Sequence, residues 1–281
     1  MPNDPIDFYE CDRLVETFKK VCEHPVKRRS NAYYVGVDLG TACVVTVVLD
    51  ENREPVAGAY QYADVVRDGM VVDYVGAVDI VRAMKQKLEK ALGVEELLYA
   101  AAAIPPGTDT LDGGTVANVV ESAGYLVTAL EDESTAANRV LHLQNGAVVD
   151  IGGGTTGISV FEEGKVVYVA DEPTGGTHFS LVLSGAYRKS YEDAELFKRN
   201  PANHKEIVPV LRPVIEKVST IVSQHVKEYD VDTIVLVGGT SSLTGIEGIV
   251  QKRTGIPVYK PLDPMFVTPL GIAMSCTDEP R

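Results

Sequence analysis

The sequence predicts an α/β protein built from two similar halves that enclose a cleft. Trios of short β-branched strands alternate with helical segments, a pattern typical of mixed sheets packed against helices. The first trio covers residues 33–61, and the second begins near residue 147. Both trios open with an apolar-Asp-apolar-Gly pattern, around Asp38 and Asp150. This recurrence indicates a duplicated architecture, and a cleft between two halves is a common place for a ligand.

The composition restricts the partners that we expect. The chain has 281 residues, a formal net charge of -14 and a hydrophobic fraction of 45%. An acidic chain repels nucleic acid and anionic membrane surfaces, so neither is expected as a partner. The one short basic cluster, at residues 27–29, is predicted to be a solvated linker rather than a binding patch.

The cysteines and apolar runs exclude further classes of protein. The four cysteines form no Cys-x-x-Cys pair and have no His cluster beside them, so a zinc site is not expected. No run reaches the ~18 apolar residues of a membrane span. The acidic N-terminus does not resemble a signal peptide. We therefore expect a soluble, cytoplasmic protein with reduced thiols.

Periodicity and turn residues predict the elements in order. Residues 7–24 carry a stripe of apolar side chains at helical spacing, so this helix either packs on the core or docks a partner. Further helices are predicted at 77–92, 114–123, 133–143, 176–187, 192–199, 204–228, 243–254 and 267–276, and single strands at 97–104, 125–130 and 233–237. The predicted units are a helical extension (1–31), a first half (32–142 plus 265–281) and a second half (143–264).

The segment Gly152–Gly157 contains the pattern G-x-G-x-x-G, which is found in dinucleotide-binding folds. In a dinucleotide-binding fold, this pattern must be followed directly by a helix. Here the next residues alternate, are rich in β-branched side chains and are broken by Glu163 and Gly164, so they predict a hairpin instead. Glycine turns of this kind let backbone N–H groups approach an anion such as phosphate.

The two aspartates at these hairpins predict a metal site. A carboxylate beside phosphate would repel it, so Asp38 and Asp150 make chemical sense with a divalent cation between them and the phosphates. Mg²⁺ fits, because it keeps several waters and takes one or two carboxylates. Thr41, Thr155 and Thr156 add hydroxyl donors. The alternative, ordinary Asp-x-Gly turn chemistry, is weakened because both hairpins place the aspartate alike.

Segments in one continuous order resemble the motifs of the actin/Hsp70/sugar-kinase superfamily. They are VGVDLGTACV and VVDIGGGTTGISVF (phosphate motifs), TIVLVGGTSSLTGI (adenosine motif), DESTAANRV and DPMFVTPLGIAMS (connecting helices) and IPPGT (a strand end). The resemblance implies an actin-like ATPase fold, in which two duplicated ribonuclease-H-like halves with mixed sheets flank a nucleotide cleft. It also implies ATP and Mg²⁺ as ligands.

The resemblance assigns roles to single residues. Glu133 matches the carboxylate that orients the attacking water, and Glu133 and Asp150 are the predicted catalytic residues. The alternative is that Glu133 is simply a Glu in the first turn of a helix, where the helix dipole favours it. Glu195 and Lys198 match a pair that lines adenosine, or they form a surface ion pair. The other nucleotide-binding positions are Gly40, Thr41, Gly152, Gly153, Gly154, Thr155, Thr156, Gly175, Gly176, Gly238, Gly239 and Ser241.

Three departures from the superfamily pattern argue against fast hydrolysis. Ser134 replaces the Pro that follows the connecting Glu, and the run Thr177–Ser180 lacks the usual aspartate. No lysine matches the one that Hsp70 places beside the phosphates. ATP binding is therefore better supported than turnover, and any ATPase activity is expected to be slow.

Longer segments resemble the chaperone-like EutJ family of bacterial ethanolamine utilization. They are ADVVRDGMVVDYVGAV, PPGTD, GKVVYVADEPTGG and AELFKR. The resemblance implies an ATP-binding, chaperone-like protein, cytoplasmic or associated with a microcompartment. It would hold a client, the ammonia-lyase or a microcompartment component, differently with ATP and ADP. Two alternatives stay open: an actin-fold scaffold or assembly protein, and a small-molecule kinase.

Overall fold

The computed structural model describes residues 6–27, 30–67, 69–106 and 110–279. Several sequence predictions extend beyond these ranges. The predicted extension 1–31 includes residues 1–5, the predicted first half includes residues 280–281, and the segment ADVVRDGMVVDYVGAV includes residue 68. Residues 28–29 of the basic cluster and residues 107–109 of the Pro-Pro-Gly-Thr-Asp segment lie outside the described residues.

Strands and helices alternate through the described residues much as the sequence predicts. The first elements are α1 (Tyr9–Glu23), β1 (Tyr34–Leu39), β2 (Cys43–Leu49), β3 (Pro55–Tyr62), β4 (Val66–Arg67), β5 (Met70–Val71), α2 (Tyr74–Leu92), β6 (Tyr99–Ile104), α3 (Thr110–Ser122), β7 (Leu126–Asp132) and α4 (Glu133–Leu141). The later ones are β8 (Gly146–Ile151), β9 (Thr156–Glu162), β10 (Lys165–Glu172), α5 (Gly176–Tyr187), α6 (Tyr191–Arg199), α7 (His204–Val226), β11 (Ile234–Val237), α8 (Ile246–Thr254), β12 (Val258–Tyr259) and α9 (Val267–Ser275). None of these described helices is both long and apolar enough to cross a bilayer.

Two five-stranded mixed sheets share one topology. Their strand orders are β3-β2-β1-β6-β7 and β10-β9-β8-β11-β12. In each sheet the first strand of the trio is central, antiparallel to the next strand and parallel to a later one. The predicted duplicated α/β architecture is confirmed. The assignment of residues 32–142 plus 265–281 and of 143–264 to the two halves stays a prediction.

The structure differs from the sequence prediction in its shortest elements. The pairs β4–β5 and β11–β12 involve strands of two residues, which are too short to show a period of two. The helix predicted from residue 243 begins at Ile246, because a 3₁₀ turn and then Gly245, with φ 87°, precede it. The segment Gly152–Gly157 leads into β9 rather than a helix, so the predicted hairpin is confirmed.

Helices α4 and α9 come from distant parts of the chain and touch between the two sheets. A Cβ on Gly271 of α9 would lie 1.8 Å from the backbone oxygen of Ala136 in α4. A Cβ on Gly36 of β1 would lie 2.4 Å from the backbone nitrogen of Ala273. Both helices enter a core that joins the two sheets through Val45, Val47, Val148, Phe161, Val235 and Val237. This shared core sets how the sheets face each other.

The N-terminal helix α1 packs on the first sheet. A Cβ on Gly58 of β3 would lie 2.2 Å from the ring of Phe18, so ring and strand are in close contact. The buried stripe of α1 consists of Cys11, Leu14, Val15, Phe18 and Val21. The interpretation of residues 7–24 as a core-packing helix is therefore confirmed, and its apolar stripe is not free to dock a partner.

Gly271→Ala is expected to destabilise the protein, because the new methyl group must push α4 and α9 apart. Overpacking of this kind costs about 1–3 kcal/mol. Gly248→Ala is the matched control: it lies within α8, and a Cβ there meets no described atom within 4 Å. Alanine in a helix is favoured over glycine by roughly 0.5–1 kcal/mol. Urea unfolding gives the free energy of unfolding of both variants. If Gly271→Ala and Gly248→Ala were equally stable, the close contact between α4 and α9 would be contradicted.

Candidate functional site

A cavity of about 240 Å³ lies between the two sheets. Its wall includes most of the residues that the sequence predicts for the site. They are Asp38, Gly40, Thr41, Glu133, Asp150, Gly152, Gly153, Gly154, Thr155, Gly176, Glu195, Lys198, Gly238 and Gly239. Because these residues come from both sheets and from α4, α5 and α6, the cavity lies where the two halves meet.

The two glycine turns approach each other at this cavity. Asp38 near the end of β1 is paired with Val45, and Asp150 near the end of β8 is paired with Gly157. A Cβ on Gly153 would lie 3.0 Å from the Cβ of Ala42, so the turns are nearly in contact. Because glycine has no side chain, backbone atoms form this part of the cavity wall, as an anion site requires.

The second turn is held from behind by the start of α5. The backbone N–H of Gly176 donates to the carbonyl of Gly152 at 2.9 Å, and that of Thr177 donates to Gly153 at 2.7 Å. The hydroxyl of Thr240 also donates to the Gly152 carbonyl, at 2.7 Å. These bonds to the carbonyls of Gly152 and Gly153 join the turn to α5 and to Thr240.

Three carboxyl groups face the cavity together. Burial, and then the charge of Asp150, raise the pKa of Asp38 to about 7. Burial, followed by the charges of Asp150 and Asp38, raises the pKa of Glu133 well above its usual value. Burial also raises the pKa of Asp150, although the hydroxyl of Thr268 donates to its Oδ2 at 2.6 Å. No cationic side chain of the described residues offsets these shifts.

This acidic group fits a divalent cation that is held partly through water. Within the described ranges, no group of three or more His, Cys, Asp or Glu side chains is placed to ligate a metal directly. Mg²⁺ needs fewer protein ligands than that, since it keeps several waters and takes one or two carboxylates. Asp38 and Asp150 are two carboxylates on the cavity wall, so the residues present fit the predicted Mg²⁺.

Glu133 is the first residue of α4. The preceding residue, Asp132, caps the helix: its side chain accepts a hydrogen bond from the backbone N–H of Thr135 at 2.8 Å. The cap fixes the first turn of α4 and therefore the direction of Glu133. Both interpretations of Glu133 from the sequence, a first-turn carboxylate and a group that faces the ligand, are consistent with this position.

Glu195 and Lys198 form a buried cluster on α6 rather than a surface ion pair. Lys198 Nζ lies 2.7 Å from Glu195 Oε2 and donates to the Gly176 carbonyl at 2.9 Å. Arg199 Nε lies 2.8 Å from Glu195 Oε1. Burial lowers the pKa of Lys198. Burial alone would raise the pKa of Glu195, but the charge and hydrogen bond of Lys198, the Ser180 hydroxyl and the Arg199 charge together lower it.

Arg199 and Tyr62 line the cavity, and the sequence did not predict them. The Arg199 guanidinium carbon lies 3.6 Å from the centre of the Tyr62 ring, so the two side chains stack. Tyr62 belongs to β3 of the first sheet, and Arg199 to α6, which packs with the second. Arg199 follows Lys198 in the sequence, but no local signal indicates its partner across the cavity.

Three predicted residues lie behind the wall rather than on it. The Thr156 hydroxyl donates to the Thr174 carbonyl at 2.5 Å, and the Ser241 hydroxyl donates to the Val237 carbonyl at 2.6 Å. A Cβ on Gly175 would lie 2.9 Å from the carbonyl oxygen of Gly152, so this glycine lets α5 start directly beneath the turn. These residues support the cavity wall without facing it.

Comparison with known proteins identifies relatives along most of the chain. Residues 118–268 match the family PilM_2, described as Type IV pilus assembly protein PilM. The chain is 44% identical to the ethanolamine utilization protein EutJ of Salmonella typhimurium over 256 residues, which is 91% of this chain and 90% of that protein.

Solved structures confirm the predicted fold. The crystal structure of ethanolamine utilization protein EutJ from Carboxydothermus hydrogenoformans has a TM-score of 0.89 and 47% identity, and the match covers 95% of this chain and 98% of that one. MreB 5 of Spiroplasma citri, solved bound to AMPPNP, has a TM-score of 0.69 and 16% identity over 88% of this chain and 96% of that one, a likeness of fold alone. The fold is thus the two-lobed actin-like one, and the chain belongs to the family of the ethanolamine utilization protein EutJ and, through residues 118–268, to the broader PilM_2 family.

Proposed function

We propose that the chain binds Mg·ATP between its halves and acts as a nucleotide-switched, chaperone-like protein of ethanolamine utilization. The observation that carries this proposal is the pairing of two glycine turns, each with an unneutralised aspartate, at one cavity with Glu133. Membership of the EutJ family supports the pathway. MreB 5, which shares the fold, was solved bound to AMPPNP, and this supports a nucleotide as the ligand.

The phosphates would lie against the glycine turns. Backbone N–H groups of residues 153–154 and the Thr41 hydroxyl would donate to phosphate oxygens, while the N–H of Gly152 closes the turn on the Thr155 carbonyl. Asp38 and Asp150 would hold Mg²⁺ through its waters, and the cation supplies positive charge beside the phosphates. Thr155 lines the same part of the cavity wall.

Adenosine would occupy the end of the cavity at α6. Glu195 can accept hydrogen bonds from ribose hydroxyls, because Lys198 and Arg199 keep it charged. Gly238 and Gly239 have no side chains, so the cavity wall on the opposite side consists of their backbone atoms. A Cβ on Gly238 would lie 2.2 Å from Asp150 Oδ1, so only glycine brings this wall close to the metal site. Ser241 supports the same turn from behind.

Hydrolysis is expected to be slow. Among the described residues of the cavity wall, the Lys and Arg side chains are Lys198 and Arg199, and both are paired with Glu195. Neither is free to offset charge at the phosphate that is cleaved. Glu133 would act on the attacking water without help from a neighbouring cation. We therefore expect turnover far below the ~1–100 s⁻¹ of kinases.

A slow hydrolase can still act as a switch. Nucleotide contacts to both halves are complete only when the cavity is closed, so binding favours that state by its differential affinity. The outer surfaces of the halves would then bind a client differently with ATP and ADP. We propose the ammonia-lyase or a microcompartment component as client, and a cytoplasmic or microcompartment-associated location.

A scaffold function is the second candidate, supported by the match of residues 118–268 to the PilM_2 family. In that case nucleotide would hold the cleft closed while the protein assembles with copies of itself or with other proteins. Light scattering with and without ATP separates the two functions. Growth of large particles with ATP favours the scaffold, and a constant particle size favours the chaperone-like function.

Asp150→Ala is expected to remove most of the Mg²⁺-dependent affinity for ATP, because it deletes one of the two carboxylates beside the metal. The ratio of dissociation constants with EDTA and with Mg²⁺ should fall by about tenfold or more, ~1.4 kcal/mol. Asp230→Ala, at an exposed position, is the matched control. Calorimetry measures the dissociation constant of ATP with EDTA and with Mg²⁺ for each protein. Unchanged Mg·ATP binding in both Asp38→Ala and Asp150→Ala would contradict the proposed site.

Glu133→Gln is expected to slow hydrolysis and to leave Mg·ATP binding intact, since the amide keeps the shape of the carboxylate but cannot accept a proton. Loss of a general base typically costs about 10²–10⁴-fold in rate. Glu121→Gln, at an exposed site on α3, is the control. Phosphate release in a single turnover gives the rate. If the Gln variant matches the wild-type rate, Glu133 has no part in the reaction.

The client is expected to bind in a nucleotide-dependent way. Glu133→Gln protein with ATP and wild-type protein with ADP present the two states, and Asp150→Ala should respond to neither. Pull-downs from a host grown on ethanolamine, analysed by mass spectrometry, should enrich the ammonia-lyase or a shell component in one state only. If the same proteins are recovered in both nucleotide states, or if no pathway protein is recovered, the chaperone-like function is rejected.

A further inference from the structure

Helix α1 has a second side, which contacts residues 260–266 rather than β3. This linking segment follows β12, the last strand of the second sheet, and leads into α9. The carboxylate of Asp12 accepts a hydrogen bond from the backbone N–H of Leu262 at 2.8 Å. Seven residues later, Lys19 Nζ lies 2.7 Å from Asp263 Oδ2. Because residues seven apart lie on one face of a helix, a single side of α1 holds two neighbouring residues of the linking segment.

The other side of α1 is fixed to the first sheet. Arg13 donates two hydrogen bonds to the carboxylate of Glu54, which directly precedes β3, at 2.7 and 2.6 Å. Just after the helix ends, the backbone N–H of Val26 donates to the carbonyl of Val56 in β3 at 2.8 Å. These bonds add to the close packing of α1 on β3. The helix therefore bridges the first sheet and a segment that leaves the second one.

The linking segment also borders the cavity. The backbone N–H of Gly238 donates to the carbonyl of Pro264 at 3.0 Å, and Gly238 and Met265 both belong to the cavity wall. Lys260 Nζ donates to the carbonyl of Ser241 at 3.0 Å, in the turn that follows β11. The residues that α1 holds are thus directly connected to backbone that forms the wall on the side of the second sheet.

Aromatic side chains pack where α1, β3 and the linking segment meet. The ring centre of Phe266 lies 5.2 Å from that of Phe18 in α1 and 5.5 Å from that of Tyr60 in β3. Phe18 and Phe266 are both buried. Movement of the linking segment away from β3 would expose these two rings to water, which is unfavourable in proportion to the apolar area exposed. The polar bonds of α1 lie beside this packing and oppose the same movement.

We propose that α1 is a strap, which joins the first sheet to the linking segment and restrains the widening of the cavity. Contacts that are made in the closed arrangement and lost on opening lower the population of the open state. A bound nucleotide can leave only when the cavity opens, so the strap slows nucleotide release. The effect on release rests on the proposed function, whereas the strap itself does not.

Hydrogen exchange without nucleotide tests the strap. Asp12→Ala combined with Lys19→Ala removes both polar bonds to the linking segment and leaves the buried stripe of α1 intact. Exchange at the backbone N–H of Gly238, measured by NMR, should become about threefold faster or more, because its acceptor lies in the segment that is released. Glu16→Ala with Lys20→Ala is the matched control, since these exposed residues of α1 lie 4.0 Å from each other. Equal exchange at Gly238 in the two double variants would overturn the strap.

Stopped-flow release of a fluorescent nucleotide tests the effect on the cavity. ADP that carries an N-methylanthraniloyl group is bound with Mg²⁺ and then displaced by excess ATP. Asp12→Ala with Lys19→Ala is expected to raise the rate constant of release about threefold or more, while the control double variant keeps the wild-type value. Asp12→Asn keeps an oxygen that accepts from Leu262, so this single variant should release the nucleotide at nearly the wild-type rate.

The outcomes separate this inference from the proposed function. If exchange at Gly238 becomes faster and nucleotide release does not, the strap does not limit release and that part of the proposal is wrong. If the wild-type protein binds no labelled ADP, the proposed function and the effect on release are both wrong, and hydrogen exchange decides the strap by itself.

Discussion

The backbone contact between α4 and α9 is the constraint on which the candidate site depends. α4 begins with Glu133, and α9 carries Thr268, whose hydroxyl donates to Asp150. Both helices lie in the core that joins the two sheets, so the packing that unites the halves also delivers these side chains to the cavity. Gly271 allows the contact, since a Cβ there would lie 1.8 Å from a backbone oxygen. The site is therefore positioned by rigid elements, which hold a geometry better than loops do.

The charges in the cavity decide what kind of anion it can accept. The chain has a net charge of -14, and the lysine and arginine on the described cavity wall, Lys198 and Arg199, are paired with Glu195. Asp38 and Asp150 have no described cationic partner to balance them. A free anion would be repelled by them, whereas an anion that arrives with its own divalent cation neutralises them and uses the backbone of the glycine turns. For the nucleotide that we propose as ligand, this arrangement favours the metal complex over the free anion.

The sequence predicted the features that local pattern determines. The strand trios, the duplicated topology and the glycine hairpins follow from periods of two and from turn residues, and the structure has them. The stack of Arg199 on Tyr62 depends on tertiary placement, which no local pattern encodes. The placement of Thr156 behind the wall has a simple reason: it is adjacent to Thr155, and successive strand residues point to opposite faces.

The stack of Arg199 on Tyr62 has a thermodynamic consequence for the shape of the empty protein. One side chain comes from β3 and the other from α6, so any movement that widens the cavity at this end must separate them. Contacts of this kind are worth about 0.5–2 kcal/mol. The protein alone thus supplies part of the free energy that holds the halves together, and a ligand has to supply only the remainder. Loss of the aromatic ring would leave a looser molecule whose compactness depends more strongly on ligand concentration.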